Sequence, residues 1–247
     1  MKKYFLVSDI HSNYDALIVG LTNAGFDKAN PNHIFLGVGD YFDRGEQTVK
    51  VLSFLLEMKA LQRATLIRGN HDSMLLEYLV GISDGLFDVK YNGLGSTLEA
   101  LSNTDITLVK HVEEARDKIK KNYPRLIDFL KNMVDQVSIG NYDITHAGYS
   151  ENGEGLWEIN NWTKVPDFVK AFPVENKTTY IFGHWGNYLL NKEFLEKDSN
   201  GIFMYKNFIG LDATTALGNT CNVLVIDETK DSITHSIGYS HKIKEQL

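Results

Sequence analysis

The sequence contains little cysteine, little proline and no long hydrophobic run. Its single cysteine, Cys221, cannot form a disulfide within the chain, and its apolar neighbours predict a buried thiol in a strand. No apolar stretch approaches the roughly 20 residues that a membrane-spanning helix needs. The apolar run before Asp9 is too short for a signal peptide. We therefore expect a cytoplasmic protein that does not bind membranes.

Basic residues are outnumbered by acidic ones. There are 25 Lys and Arg against 32 Asp and Glu, and the formal net charge of -7 disfavours wholesale binding to nucleic acid. The chain has no internal repeat, no low-complexity segment and no linker rich in proline or serine. Its 247 residues are enough for one substantial core. We predict a single domain over residues 1–247.

The first third of the chain alternates short apolar segments with amphipathic ones. YFLVS, HIFLGV and ATLIR have the character of strands, and the segments that follow them have helical spacing. This alternation predicts βαβ units with a largely parallel sheet covered on both faces. From about residue 95 to 135 the pattern predicts a helical insertion or cap. The remainder is rich in short strands, including a hairpin with a Gly-Asn turn in QVSIGNYDITHAG, and predicts a second packed sheet.

Polar side chains follow the strands of the predicted sheets. Asp9 and His11 end the first strand in SDIHSN, and side chains two apart on an extended backbone point the same way. The second strand ends in GDYFDRG and the third in RGNHD, while two later strands end at His146 and His184. Because loops beyond the carboxyl ends of parallel strands converge on one crevice, we expect these clusters to meet.

The converging set has the chemistry of a divalent metal site. Its members are Asp9, His11, Asp40, Asn70, His146 and His184. Imidazoles suit Mn, Fe and Zn, while carboxylate and amide oxygens are harder ligands. Six ligands are too many for one four-coordinate zinc, so we expect two ions about 3.5–4 Å apart that share the Asp40 carboxylate. Taken singly, each cluster has an ordinary structural explanation, such as a helix N-cap. The prediction of a metal site depends on all the clusters occurring together.

The motifs SDIHSN, GDYFDRG, RGNHD, THAG and FGHW, in this order, resemble those of the calcineurin-like metallophosphoesterases. More narrowly, they resemble the phosphoprotein phosphatase branch with its small bacterial and phage serine/threonine phosphatases. The resemblance implies an α/β (α+β) fold, in which a β-sandwich of two mixed sheets is flanked by helices. It also implies a dinuclear centre, with manganese as the first expectation and iron, zinc or magnesium as alternatives.

The resemblance also implies a role for each residue. Asp40 would bridge the two ions, with Asp9 and His11 on the first and Asn70, His146 and His184 on the second. His71 would be the general acid, oriented by Asp43, and Arg44 and Asn70 would bind the substrate phosphate. The implied reaction is hydrolysis of a phosphate ester by direct attack of a metal-bridging hydroxide.

Two departures from the family pattern leave the substrate open. GLWEINNW has Ile159 where the small bacterial and phage phosphatases usually carry a second phosphate-binding arginine, and Lys164 is a candidate substitute. FGHW and IGLD are closer to a sister group, the symmetrical bis(5'-nucleosyl)-tetraphosphate hydrolases, which typically have Ala-Arg-Gly in place of Asp43-Arg44-Gly45.

Three functions follow from the sequence. We predict a serine/threonine protein phosphatase-like phosphomonoesterase that acts on a phosphorylated protein, a peptide or a small phosphoester. The first alternative is a symmetrical tetraphosphate hydrolase on the same scaffold. The second is a binding protein with a degenerate site, and the presence of every proposed ligand counts against it.

Overall fold

Two five-stranded sheets form the centre of the protein in a computed structural model that describes residues 1–150, 154–156, 168–171, 177–228 and 232–239. The first sheet has the spatial order Ser232–Tyr239 (β12), Thr220–Asp227 (β11), Lys3–Val7 (β1), His33–Val38 (β2) and Ala64–Ile67 (β3). The second has the order Gln136–Ile139 (β4), Tyr142–Thr145 (β5), Thr179–Phe182 (β8), Phe208–Gly210 (β10) and Phe203–Tyr205 (β9). Gly148–Tyr149 (β6) and Gly155–Leu156 (β7) form a short ribbon.

Both sheets are mixed, as expected. Strands β1, β2 and β3 run parallel, while β11 is antiparallel to β1 and to β12. In the second sheet β5, β8 and β10 run parallel, with antiparallel neighbours β4 and β9 at the two edges. The predicted hairpin joins β4 to β5 through Gly140 and Asn141.

The helices of the described residues lie between and around the strands. They are Tyr14–Asn23 (α1), Thr48–Ala60 (α2), Asn70–Val80 (α3), Leu86–Tyr91 (α4), Leu94–Ser102 (α5), Val109–Asn122 (α6), Leu126–Lys131 (α7), Phe168–Ala171 (α8), Asn187–Leu195 (α9) and Thr215–Gly218 (α10). The segment predicted to be helical contains α5, α6 and α7, with Pro124 between the last two. None of the helices in the described part of the chain is long and apolar enough to cross a membrane.

The core has one layer between the sheets and one on the outer face of each. Because side chains alternate along a strand, Phe5 and Val7 of β1 pack with the helices while Leu6 packs toward the second sheet. Leu6 belongs to an aliphatic cluster that includes Ile144 and Ile181 of the second sheet. Aromatic residues dominate the outer layer of that sheet. Cys221 is buried on β11, as predicted.

Candidate dinuclear metal site

The predicted ligands all lie just beyond the carboxyl ends of strands, and the structure brings them together. Strand β1 leads to Asp9 and His11, β2 leads to Asp40, and β3 leads to Asn70 at the start of α3. In the second sheet, β5 leads to His146 and β8 to His184. All six side chains are buried, with exposures between 0% and 6%.

Asp40 lies between two groups of histidines. One group contains His11 and His71, the other contains His146 and His184, and in each group one ligand atom per residue lies within 4.8 Å of the others and of Asp40. The Oδ2 atom of Asp40 is 3.8 Å from His11 Nε2, while its Oδ1 atom is 3.4 Å from His146 Nε2. The two carboxylate oxygens therefore face different groups, which is the arrangement that a bridging ligand requires.

Asn70 and Asp9 complete the arrangement in different ways. The Asn70 Oδ1 atom is 3.2 Å from His146 Nε2 and 3.0 Å from His184 Nδ1, so this amide oxygen joins the second group. The Asp9 Oδ2 atom accepts hydrogen bonds from the His184 amide at 2.9 Å and from the Ser8 hydroxyl. Asp9 is thus tied to the backbone of the His184 loop, and it belongs to neither of the two groups whose ligand atoms lie within 4.8 Å of one another.

The two ring nitrogens of His71 contact different partners. Its Nδ1 atom lies 2.8 Å from Asp43 Oδ2, and its Nε2 atom lies 3.9 Å from Asp40 Oδ2 and 3.1 Å from Arg44 Nη2. The guanidinium of Arg44 also reaches His11 Nε2, at 3.2 Å. The exposed Arg44 therefore contacts both buried histidines of the first group.

The loops of the site have strained backbones. Six of the predicted site residues have positive φ angles, namely Asp9 (51°), His11 (44°), Asp40 (56°), Asp43 (70°), Arg44 (65°) and His184 (64°). Non-glycine residues rarely adopt this left-handed region, and such strain persists only where surrounding contacts enforce it. Its concentration here indicates that the loops are shaped for the positions of their side chains.

Glycines allow these loops to approach one another. A Cβ atom on Gly69 would collide with the backbone nitrogen and the carboxylate of Asp40, and one on Gly183 would collide with the side chains of Ser8 and Asp9. Close backbone approach beside the ligands therefore requires glycine at both positions.

Asp72 is a buried residue whose importance the sequence pattern does not reveal. Its Oδ2 atom accepts hydrogen bonds from the amides of Asp40 at 3.0 Å and Gly69 at 2.9 Å, and its Oδ1 atom accepts one from the Tyr41 amide at 3.2 Å. The sequence indicates only a helix N-cap at this point. The carboxylate in fact joins the loop that carries Asp40 to the loop that carries Asn70 and therefore sets their separation.

The protonation states of the buried histidines and of Asp40 suit metal binding. Burial, and after it His71, lowers the pKa of His11 to about 3, and burial followed by His146 does the same for the pKa of His184. Burial favours protonated Asp40, but His146 and His71 outweigh it and hold its pKa well below the usual value. Neutral imidazoles beside an ionised carboxylate are the forms that bind metal ions.

His146 differs from the other histidines of the site. Burial lowers its pKa, but Asp40 and then Asp9 outweigh burial and raise the pKa to about 10. A metal ion bound here would therefore displace a proton. With its imidazoles, carboxylates and amide oxygen, the complete donor set fits two divalent ions.

Comparison with known proteins identifies the family. The family model for calcineurin-like phosphoesterases matches residues 2–209. The chain belongs to this family. Calcineurin-like phosphoesterases are metal-dependent hydrolases, and the buried clusters around Asp40 are consistent with that chemistry.

Individual members of the family with different activities resemble the chain. The bis(5'-nucleosyl)-tetraphosphatase PrpE [asymmetrical] of Bacillus subtilis is 28% identical over 182 residues, which cover 71% of this chain and 68% of that protein. The serine/threonine-protein phosphatase PP2A-like PPG1 of Candida albicans is 37% identical over 90 residues, or 36% of this chain and 21% of that protein. The resemblance to named enzymes thus spans phosphoprotein and nucleotide substrates.

A solved structure supports the fold assignment. A serine/threonine phosphatase from Saccharomyces cerevisiae, with similarity to human phosphatase PP5, superposes with a TM-score of 0.55 at 17% identity. The superposition covers 97% of this chain and 80% of that one.

Ile159 and Lys164, at the departure from the phosphatase pattern, lie outside the described residues.

Proposed function

We propose that this calcineurin-like phosphoesterase hydrolyses phosphoserine and phosphothreonine esters in proteins or peptides, using two divalent ions with manganese as the first choice. The observation that carries the proposal is the buried pair of His71 and Asp43, with 2.8 Å between Nδ1 and Oδ2. A serine or threonine alkoxide is a poor leaving group and needs a proton from the enzyme. The pair is built to supply that proton.

The proposed metal ligands are the six buried residues around Asp40. Asp9 and His11 would hold the first ion, Asn70, His146 and His184 the second, and Asp40 both. When bound, the ions would supply Lewis acidity and lower the pKa of bound water, which makes it a nucleophile at neutral pH. Phosphate binding would fall to the exposed Arg44 together with Asn70, and proton donation to the buried His71.

His71 is suited to carry a proton at neutral pH. Burial lowers its pKa, but Asp40 and then Asp43 outweigh burial and raise it above the usual value. Asp43 accepts a hydrogen bond from the Nδ1–H group and is itself fixed by Thr97, whose hydroxyl donates to Asp43 Oδ1 at 2.7 Å. In this structure Nε2 accepts a hydrogen bond from Arg44 Nη2 at 3.1 Å, so we propose that Nε2 becomes the proton donor to the leaving alkoxide when Arg44 binds the substrate phosphate instead.

Arg44 is placed to bind the phosphoryl oxygens. Its Nη1 atom lies 3.2 Å from His11 Nε2, and its Nη2 atom lies 3.1 Å from His71 Nε2. The planar guanidinium therefore contacts both the proposed metal ligand His11 and the proposed acid His71. The guanidinium fork matches phosphate geometry and remains charged at every relevant pH. We propose that Arg44, together with Asn70, orients the substrate phosphate toward the ions and His71.

Hydrolysis of bis(5'-nucleosyl) tetraphosphates is the second candidate function. It is favoured by the resemblance to the Bacillus subtilis tetraphosphatase, which extends over 182 residues. A nucleoside polyphosphate is a better leaving group than an alkoxide and needs less help from an acid. The retention of Asp43 beside His71 therefore favours the phosphomonoesterase.

A product assay distinguishes the candidates. Mn²⁺-loaded protein would be incubated with a phosphothreonine peptide and, in parallel, with diadenosine tetraphosphate. We expect inorganic phosphate from the peptide. ADP from the dinucleotide alone would identify symmetrical cleavage, and ATP with AMP would identify asymmetrical cleavage. Either of these nucleotide outcomes would overturn the phosphoprotein assignment.

A further inference from the structure

The first turn of helix α5 is bonded to two adjacent residues of the site. Helix α5 begins at Leu94, directly after Gly93. The carbonyl oxygen of Gly93 accepts a hydrogen bond from the Arg44 amide at 3.1 Å. The hydroxyl oxygen of Thr97 accepts one from the Asp43 amide at 2.8 Å. One helical turn therefore holds the backbone of both the proposed phosphate-binding arginine and the carboxylate beside the proposed acid.

The hydroxyl of Thr97 is used entirely by Asp43. It accepts a hydrogen bond from the Asp43 amide and donates its one proton to Asp43 Oδ1 at 2.7 Å. Both residues are fully buried. The other carboxylate oxygen, Oδ2, lies against Nδ1 of His71. Thr97 therefore sets the rotation of the carboxylate that presents Oδ2 to His71.

Packing alone does not account for a hydroxyl at position 97. Leu94, Leu98 and Leu101 of the same helix are buried in the main hydrophobic core. Thr97 shares their face, three residues after Leu94 and four before Leu101. A hydroxyl is costly to bury unless it is hydrogen-bonded, and valine would fill the same volume without that cost. What the hydroxyl adds at this position is its pair of bonds to Asp43.

Gly93 fits closely against Arg44. Its φ angle is +84°, in the left-handed region that favours glycine. A Cβ atom on Gly93 would lie 2.7 Å from Arg44 Cγ and 3.0 Å from the Arg44 backbone nitrogen. A larger residue at position 93 would therefore push away both the backbone of Arg44 and the base of its side chain.

Asp43 and Arg44 are two consecutive residues with left-handed backbones. Their φ angles are 70° and 65°. Non-glycine residues keep such angles only where surrounding contacts enforce them. The amides of both residues donate to the first turn of α5, at Thr97 and at Gly93 respectively. The turn thus helps to hold the loop in the conformation that directs these two side chains into the site.

We propose that Gly93 and Thr97 are positioning residues for the reaction. Gly93 sets the position of Arg44 and so governs phosphate binding. Thr97 turns Asp43 toward His71 and so governs proton donation to the leaving group. The proposal rests on the phosphomonoesterase function proposed above. Because each residue acts through a different neighbour, their substitution should alter different kinetic parameters.

The role of Thr97 is tested by the dependence of kcat on the leaving group. The substrates are substituted phenyl phosphates, from p-nitrophenyl phosphate to phenyl phosphate, and a phosphothreonine peptide. The variants are Thr97→Val, which removes the hydroxyl, and Thr97→Ser, which keeps it. The matched control is Ser102→Ala, at a buried hydroxyl on the same helix that donates to the Leu98 carbonyl at 2.6 Å.

Thr97→Val should slow the substrates with poor leaving groups selectively. We expect kcat on phenyl phosphate and on the peptide to fall by about 10–100-fold, since misplacement by about 1 Å costs up to that much, while p-nitrophenyl phosphate is hardly affected. Thr97→Ser and Ser102→Ala should keep the original dependence. If Thr97→Val does not fold, Thr97→Cys, with a weakly bonding thiol, should show a smaller change in the same direction. Equal losses on all substrates would show a purely structural role and overturn the assignment.

The role of Gly93 is tested by phosphate affinity. Gly93→Ala should raise KM for every phosphate monoester and weaken the binding of inorganic phosphate to the Mn²⁺-loaded protein by about tenfold, as loss of a charge-assisted hydrogen bond would. The relative kcat values of the substrates should stay the same. Isothermal titration and steady-state kinetics provide the measurements.

Gly81→Ala is the matched control for this substitution. Gly81 has the same φ angle of +84°, but a Cβ atom there would meet nothing within 4 Å. The control should therefore keep the original phosphate affinity. If Gly93→Ala does not fold, Gly93→Asn should give the same loss, because asparagine tolerates positive φ angles. An unchanged affinity in the folded Gly93 variant, or an equal loss in Gly81→Ala, would overturn the role of Gly93.

Failure of the underlying function is recognised separately. If the phenyl phosphates are hydrolysed and the peptide is not, the phosphoprotein assignment is wrong, and Thr97 is still judged on the phenyl phosphates. If diadenosine tetraphosphate is cleaved and no phosphate monoester is, the proposed function is wrong and the role of Thr97 is overturned with it. The role of Gly93 is then decided by the binding of inorganic phosphate.

Discussion

His71 and Asp43 form a buried pair in which Nδ1 of the histidine lies 2.8 Å from Oδ2 of the aspartate. Their side chains are 1% and 0% exposed. Thr97 fixes the second oxygen of Asp43 at 2.7 Å, so the carboxylate has little freedom to turn. The pair therefore orients the imidazole with Nε2 toward Asp40 and Arg44, which is the orientation that a proton donor at this site needs.

Replacing His71 should affect substrates according to their leaving groups. We expect His71→Asn to slow hydrolysis of a phosphothreonine peptide by about 10²–10⁴-fold, the usual contribution of a general acid. Hydrolysis of p-nitrophenyl phosphate should fall far less, because p-nitrophenolate leaves without a proton. Steady-state kcat values for both substrates provide the measurement.

The control for this substitution is His33→Asn. His33 lies on β2, and its Nδ1 atom accepts a hydrogen bond from the Asp27 amide. This variant should retain the rates on both substrates. Equal losses on the peptide and on p-nitrophenyl phosphate in His71→Asn would refute the general-acid role.

Asp40 should be required for binding a pair of ions. Its two oxygens face different groups of histidines, at 3.8 Å from His11 and 3.4 Å from His146. In Asp40→Asn, one of those oxygens becomes an amide nitrogen that cannot bind a cation. We expect bound Mn²⁺ to fall from two ions to at most one, and activity to fall by more than the roughly 100-fold cost of an outer-shell change. Near-normal activity with two bound ions would exclude the bridging role.

Asp72 should control metal binding without touching the ions. In Asp72→Asn, the side-chain NH₂ group would face at least one of the backbone N–H groups that now donate hydrogen bonds to the carboxylate. We expect Asp72→Asn to weaken Mn²⁺ binding and lower kcat by about 10–100-fold. Isothermal titration and steady-state kinetics measure both effects.

A buried carboxylate on β11 provides the matched control. Asp227 is 7% exposed and pairs with Lys3 at 3.2 Å, so Asp227→Asn removes a comparable contact at a strand end. It should lower thermal stability and leave Mn²⁺ affinity unchanged. If Asp72→Asn also left Mn²⁺ affinity unchanged, Asp72 would be no more than a helix cap.

Without metal, the folded state should lose stability as pH rises above neutrality. The pKa of His146 is raised to about 10 in the folded protein, chiefly because Asp40 outweighs burial, against about 6.5 in an unfolded chain. The stabilisation from protonated His146 is therefore complete below about pH 6.5 and is lost as pH rises toward 10. His71, with its raised pKa, acts in the same direction.

Thermal melts between pH 6.5 and 9 test this dependence. The melting temperature should fall with rising pH in the presence of a chelator. In excess Mn²⁺ it should not fall, because deprotonation of His146 then favours the bound ion. A chelated protein that becomes more stable from pH 6.5 to 9 would contradict the assigned environment of His146.

The sequence predicted the meeting of the strand-end motifs because two strong signals coincide there. Each motif follows a short apolar strand, and parallel strands place their following loops at one edge of a sheet. The hairpin at Gly140 and Asn141 was equally accessible, since its turn residues and alternating pattern are local. The roles assigned to His71 and Arg44 came from resemblance to a family and stay predictions.

Features that depend on tertiary contacts were not visible in the sequence. Helix α4 has only six residues, which is too short for their apolar spacing to distinguish a helix from a loop. Asp72 is in a position typical of a helix cap, and its bonds to Asp40 and Tyr41 connect segments about thirty residues apart. The positive φ angles at Asp9 and Asp40 are likewise unpredictable, because L-residues avoid that region unless their neighbours enforce it.

A dinuclear centre at Asp40 can be tested by titrating the metal-free protein with Mn²⁺ while its activity on a phosphothreonine peptide is followed. We expect phosphate release to be absent in chelator, to rise with added metal and to reach its plateau at two ions per chain. Full activity in the presence of chelator, or a plateau at one ion per chain, would contradict a dinuclear phosphomonoesterase centred on Asp40.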